Sequence, residues 1–169
     1  MKNLIAVAVA GLLTACVAPQ PIALTTHFSP AEVAWAKAKG TNSVSGQGFL
    51  RQQGGGVVTC AGYGVSLVPV SAYSTERIST IYGSSTQGFA DSILAPKLTS
   101  SDPGYDASKH MAQCDAQGNF TLTGLADGDY YLVTQVIWMA GNAEQGGSLM
   151  QKVSLHGGEH KQVLLTNKG

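Results

Sequence analysis

Residues 115–138, DAQGNFTLTGLADGDYYLVTQVIW, leave little freedom to a chain that contains them. Asp115 and Gly118 stand three apart, the spacing of a type I turn that aspartate opens and glycine closes. Beyond the turn Phe120, Leu122 and, past Gly124, Leu125 form an apolar side, with Thr121 and Thr123 alternating outward. A Gly-Asp corner at Gly128-Asp129 then opens a second strand. Tyr130, Leu132, Thr134, Val136 and Trp138 share one of its faces; Tyr131, Val133, Gln135 and Ile137, nearly as apolar, share the other. A strand greasy on both faces belongs inside a sheet that is covered on both sides.

The pattern Asp-x-x-Gly-x-Phe-x-Leu-x-x-Leu-x-x-Gly-x-Tyr-x-Leu in this stretch resembles the signature segment of the transthyretin-like, or carboxypeptidase-regulatory-like, β-sandwich family. The resemblance spans roughly residues 44–166 and is specific over 115–138. It implies an accessory domain: a mainly β, transthyretin-like (prealbumin-like) sandwich of seven to eight strands with one or two short helices. It implies no reaction. It also implies that Tyr130 points inward, its hydroxyl turned back toward the Leu125–Gly128 corner. The purine-breakdown hydrolases of this family carry a histidine and an arginine in early strands and end in Tyr-Arg-Gly-Ser. This chain ends Leu165-Thr166-Asn167-Lys168-Gly169, which argues against that activity. Pilin-type relatives place an isopeptide-forming lysine in the first strand, and Val44–Arg51 contains none.

The N-terminus bears on compartment. Lys2 precedes the apolar run Leu4–Leu13, which has the length of a signal-peptide core and falls short of a bilayer span. Leu13-Thr14-Ala15-Cys16 follows and resembles the bacterial lipobox. That resemblance implies cleavage after residue 15, acylation of Cys16, and a membrane partner held through its acyl chains. Val17 occupies the next position, where an aspartate is absent. The pattern implies sorting to the outer membrane of a Gram-negative bacterium, facing the periplasm. Residues 16–28, with Pro19 and Pro21, are expected to form an extended tether.

Ser29-Pro30-Ala31-Glu32 has the form of a helix start with a capping box, and Gly40 the form of its stop, so residues 29–40 predict a short helix. Ala31, Ala34, Trp35 and Ala38 would dock it on the domain, with Trp35 also a candidate for contacting a partner. The remainder, 41–169, is one sandwich domain. Its strands are expected at Val44–Arg51, Val57–Cys60, Tyr63–Val70, the two strands of 115–138, Ser148–Leu155 and Gln162–Thr166, with a second short helix at Ser74–Tyr82. Residues 139–147 read as a hairpin loop. Gly83–Lys109 is the irregular part, with Phe89, Ile93 and Leu94 expected to pin one turn of helix.

Charge is balanced, ten basic against ten acidic residues, which leaves no basic patch for nucleic acid. Once Cys16 is acylated, Cys60 and Cys114 are an even pair in an oxidising compartment, and such a pair is expected to be bonded. His156-Gly157-Gly158-Glu159-His160 spells the inverted zinc-peptidase motif, but two central glycines oppose the helix that motif requires. The alternating flanks predict a hairpin turn there instead. Asp102, Asp106, Asp115, Asp127 and Asp129 all stand at turn positions, where aspartate serves the backbone.

These observations lead to an expectation of a lipid-anchored, non-catalytic binding or structural accessory protein of the cell envelope. It would need no cofactor or metal and would have an envelope protein partner. Long loops on rigid scaffolds carry recognition, so Phe89, Asp102 and Tyr105 of the 83–109 segment are the candidate partner contacts. The alternative is an envelope hydrolase or metal-binding protein that uses the turn histidines and aspartates.

Overall fold

The computed structural model describes residues 20–167. Nine strands form two layers. In the smaller, β1 (Asn42–Arg51) pairs antiparallel with β2 (Val57–Thr59) and with β6 (Asn119–Leu125), and parallel with β9 (His160–Leu165). The larger has the order β4 (Gln87–Asp91), β8 (Ala143–Leu155), β7 (Gly128–Ala140), β3 (Gly64–Pro69), β5 (His110–Gln113), all antiparallel. Two helices, α1 (Ala72–Tyr82) and α2 (Pro103–Ala107), and a 3-10 helix at Pro30–Lys37 are the helical elements among the described residues. The fold is a mainly β sandwich, as the alternating patterns require.

The core lies where the two sheets face each other. Val44, Leu50, Phe120, Leu122 and Leu165 meet Val65, Leu67, Tyr130, Leu132, Val136, Leu149 and Leu155 there, all of them buried. Each fully buried aliphatic side chain of this kind contributes roughly 1.5–3 kcal/mol. Strand β7 shows why both of its faces are apolar. Tyr131 on its far side packs with Val68 and Met150 of neighbouring strands, under Tyr73 and Ile78 of α1 and Tyr105 of α2. Tyr130 takes the inward place, and its hydroxyl donates to the Ala126 carbonyl at 3.0 Å.

Local turn chemistry sets the ladder on either side. Gly118 N–H donates to the Asp115 carbonyl, and the Asp115 carboxylate accepts from the Gln117 and Asn119 amides. Helix α1 starts at a capping box of Ser71 and Ser74 and stops at left-handed Gly83. Cys60 and Cys114 are bonded, their Cα atoms 5.7 Å apart, which joins the end of β2 in one sheet to the end of β5 in the other.

Several expectations are corrected. The Pro30 helix is 3-10 rather than α, with no side-chain cap. Three residues per turn put Val33 and Ala36 on the buried side, whereas Ala31, Ala34 and Ala38 face solvent. The Glu32 carboxylate, free of capping duty, accepts from the Ala72 amide at 2.9 Å. Trp35 lies edge-on against Tyr130 at 5.1 Å, directly over Gly128. A Cβ on Gly128 would meet that ring at 2.3 Å, so the corner glycine is required by close approach.

Residues 22–28 of the expected tether lie on the domain. Ile22 bridges to Leu98, Phe28 packs against Tyr73 and Tyr105, and the Glu76 carboxylate accepts from the amides and hydroxyls of Thr25 and Thr26. Residues 1–19, with the signal-peptide and lipobox readings, lie outside the described residues. The 139–147 loop is instead a tight turn, because β7 and β8 stay paired out to Ala140 and Ala143. The 83–109 segment contains an edge strand and a short helix: Phe89 is strand, and Ile93 and Leu94 project from the turn after it. Gly157-Gly158 is a turn but not a hairpin. It carries the chain from β8 across to the other sheet, where β9 runs parallel to β1.

Candidate functional site

The two ends of the sandwich differ. At the β1 start, Asn42 is fully buried and every polar atom of its side chain is engaged. Its amide nitrogen donates to the Leu125 carbonyl and the Asp127 carboxylate, and its oxygen accepts from the amides of Gly158 and Glu159. Asp127 also accepts from Gly157 N–H, and the Asn42 hydrogen bond, followed by that of Gly157, holds its carboxyl below the usual carboxylate range. Asp129 takes Ser154 and Lys152, which hold it low in the same way. This end is closed by its own hydrogen bonds.

The opposite end opens as a cleft of about 380 Å³ between the sheets. Strands β7 and β8 run past their partners there, so Trp138, last in the inward series of β7, has no opposite strand to cover it fully. Phe89, 38 % exposed on edge strand β4, lines the same cleft. Gly146 faces Trp138, and a Cβ at that position would come within 2.8 Å of the indole, so glycine there leaves the ring its place. Arg51, Gln52, Gln53, Asp91, Glu144, Gln145 and Asn167 supply the rim. Among the described residues the side chains of Gln53, Glu144 and Gln145 make no hydrogen bond or ion pair. Asp91 differs, because its carboxylate is used by the amides of Ile93 and Leu94.

An aromatic floor with amide, carboxylate and guanidinium groups on the rim can hold a flat, hydroxyl-rich molecule. A second depression, about 470 Å³, crosses the outer face of β6, β1 and β9 over Ser45, Gln47, Thr121 and Gln162. It has no exposed aromatic ring, and Gln47 already donates to the Gln117 carbonyl.

Of the three candidate contacts of the 83–109 segment, Phe89 stands apart, while Asp102 and Tyr105 sit together at α2 beside Tyr73. Phe89 belongs to the cleft. Asp102 caps α2 through Gly104 N–H and lines another depression with Thr26 and Phe28. Tyr105 is a core residue, 6 % exposed, with Arg77 and Lys109 stacked on its ring. Burial in that apolar setting pushes its phenol above the ordinary value. The irregular composition of 83–109 concealed this, because Tyr105 finds its apolar neighbours in α1 and in Phe28. His156 and His160 are likewise apart in role: His160 shares a 2.6 Å hydrogen bond with Ser43, and His156 is exposed before the Gly157-Gly158 turn. Among the described residues no three His, Cys, Asp or Glu side chains come together as a metal site. The five turn aspartates are dispersed, each bonded to its own turn or neighbour.

The sequence places Trp138 in the inward series and Glu144 and Gln145 in a hairpin loop, and Gln53 carries no reading there. The available signal for Glu144 and Gln145 was the run of strand-like alternation continuing from Trp138 to Ala140 and resuming at Ala143, which carries them beyond the covered part of the sheet; Gln53 lies in the turn after β1.

Fold and cleft together define a nine-stranded, two-layer β-sandwich with helices on one outer face and an aromatic cleft at one end. No family model matches the chain, and no curated protein matches it. Among solved structures, a crystal structure from Pseudomonas aeruginosa is similar, with a TM-score of 0.73 over 83 % of this chain and 98 % of that one. That protein is described as a candidate carbohydrate-binding protein. The two sequences are 21 % identical, and the likeness is one of fold.

Proposed function

We propose that this chain is a lipid-anchored, non-catalytic binding protein of the cell envelope, of transthyretin-like type, and that the Trp138 cleft takes a carbohydrate. The observation that carries the reading is the pairing of a half-buried indole with uncommitted Gln53, Glu144 and Gln145. A pyranose presents C–H groups on one face, which an indole covers, and hydroxyls around its edge, which planar amides and carboxylates bond in pairs. The Pseudomonas protein of the same fold, described as a candidate carbohydrate binder, supports this choice of ligand class. The lipobox-like Leu13-Thr14-Ala15-Cys16 supports the anchor, the outer membrane its place and the periplasm its aspect. Among the described residues no helix is long and apolar enough to cross a membrane.

Binding should be read on an array of bacterial envelope oligosaccharides, comparing the native protein with Trp138→Ala. The native chain is expected to retain a glycan, with affinity falling at least tenfold in the variant. A glycan bound equally by both proteins would exclude the cleft. Release of a shortened sugar during incubation would replace the binding reading with a hydrolase.

A further inference from the structure

We propose that the Asp91–Ala95 turn is a membrane-contacting tip, its Ile93 and Leu94 seated among phospholipid headgroups beside the strapped Ile22, six residues after Cys16 in the sequence. The inference rests on the lipid-anchor reading of that cysteine.

Leu94 is 83 % exposed and Ile93 is 61 % exposed, an adjacent apolar pair. Isolated exposed apolar residues are ordinary, but this pair is held outward by design of the turn. The Asp91 carboxylate accepts from both their amides, at 2.8 and 3.0 Å, and the Asp91 carbonyl accepts from Ala95. The one carboxylate of the turn is thereby turned onto backbone, while Pro96 and Lys97 beside it are exposed. An apolar pair flanked by a cation suits a surface of acyl chains beneath phosphates.

Chain length says why that surface is lipid. Ile22 is strapped next to this turn, its amide donating to the Lys97 carbonyl at 2.8 Å and its carbonyl accepting from Thr99. Leu94 is three residues from Lys97, so their Cα atoms lie within about 11 Å. From Ile22 back to Cys16 is six residues, which reach about 20 Å when fully extended. An acylated Cys16 therefore holds this corner of the domain close to the bilayer. The strap keeps it there, because Glu76 fixes Thr25 and Thr26 immediately behind Ile22. The Gly157 end of β8 lies about 26 Å further along the strand from Gly147, the residue paired with Asp91. Asp91 also lines the cleft, so a ligand there would lie near headgroup level.

The test uses the mature full-length protein in vesicles of phosphatidylethanolamine and phosphatidylglycerol, with and without brominated acyl chains. Tryptophan is introduced by Leu94→Trp or, at the far end, by His156→Trp, and emission of the parent Trp35 and Trp138 is subtracted. The Leu94→Trp signal is expected to fall at least twofold with brominated lipid, and the His156→Trp signal to stay unchanged; Ile93→Trp should repeat the first result. Acylation is measured first, by the mass of the mature protein. Absence of acyl mass overturns the anchor reading itself. Acylated protein whose Leu94→Trp emission is unquenched, or quenched no more than His156→Trp, overturns the tip alone. So does Leu94→Trp emission that shifts blue with protein concentration before vesicles are added, which would assign the pair to a second copy of the chain.

Discussion

The Asn42 end and the Trp138 end of this sandwich are built from the same strands and solve opposite problems. At the first, a buried amide joins β1, the Leu125–Asp127 corner and the Gly158–Glu159 turn, and no polar atom of the Asn42 side chain is left over. At the second, an indole and a phenyl ring line an open cleft where the side chains of Gln53, Glu144 and Gln145 have no partner among the described residues. Satisfied buried polar groups specify one structure, whereas unsatisfied groups beside an aromatic surface cost little while hydrated and are available to a ligand. The open end keeps its shape by other means. The Cys60–Cys114 bond joins the two sheets at an edge, and Tyr63, just past Cys60, donates to the Ile137 carbonyl next to Trp138.

The largest expected effect is loss of that bond. Closing a loop between positions 54 apart contributes about 4 kcal/mol on the chain-entropy account, so Cys60→Ala with Cys114→Ala should lower urea stability by nearly that amount. Hydrogen exchange should accelerate first in β2 and β5. Acceleration first around Asn42 would reverse the assignment of which end depends on the disulfide.

Asn42→Leu comes next. It leaves the Gly158 and Glu159 amides and the Leu125 carbonyl without their partner, a loss of roughly 2–4 kcal/mol in the same unfolding experiment. A change under about 0.5 kcal/mol would show that this end is not closed by the amide. Tyr130→Phe removes one buried hydrogen bond to Ala126, and about 1 kcal/mol is expected. Glu144→Gln and Gln145→Ala should move stability by less than about 0.5 kcal/mol while weakening sugar binding. Substitutions with equal stability costs at both ends would dissolve the contrast.

The smallest effect is local and depends on pH. Four hydrogen bonds from Thr25 and Thr26, that of the Thr26 hydroxyl foremost, lower Glu76 from 4.5 to about 2. A depressed carboxyl stabilises the fold fully above its unfolded value and loses that contribution as pH falls through its folded value. Amide exchange at Thr25 and Thr26 should therefore be slow above about pH 4.5 and gain opening as pH drops toward 2, and Glu76→Gln should open the strap already at neutral pH. Exchange opening that is identical in both proteins across that range would remove Glu76 as the clasp.

What could be read from sequence was what adjacent residues decide. Asp115 to Gly118, the two-faced strand after Asp129, and the α1 stop at Gly83 follow from alternation and turn chemistry within a few positions. Elements set by distant partners were misread. The Gly157-Gly158 turn is locally the same whether β9 returns beside β8 or crosses to β1. Residues 22–28 are polar enough to pass for a tether, and the carboxylate that binds them is about 50 positions away. Pro30–Lys37 carries the letters of an α-helix cap, but Ala72 takes Glu32 and Tyr130 takes Trp35, and tertiary contact overrides propensity. The cleft was legible only in Phe89, because Trp138 differs from its inward neighbours by where β7 outruns its cover.

The central claim is that the open end binds and the closed end only holds. The direct measurement is an amide and indole NMR titration of the isotopically labelled protein with short oligosaccharides of glucose and of N-acetylglucosamine. Shifts confined to the Trp138 indole, Phe89, Gln53, Glu144 and Gln145, with Asn42 and His156–His160 unmoved, are the expected result. Saturable shifts centred on the His156–His160 turn, with the Trp138 indole unmoved, would contradict it.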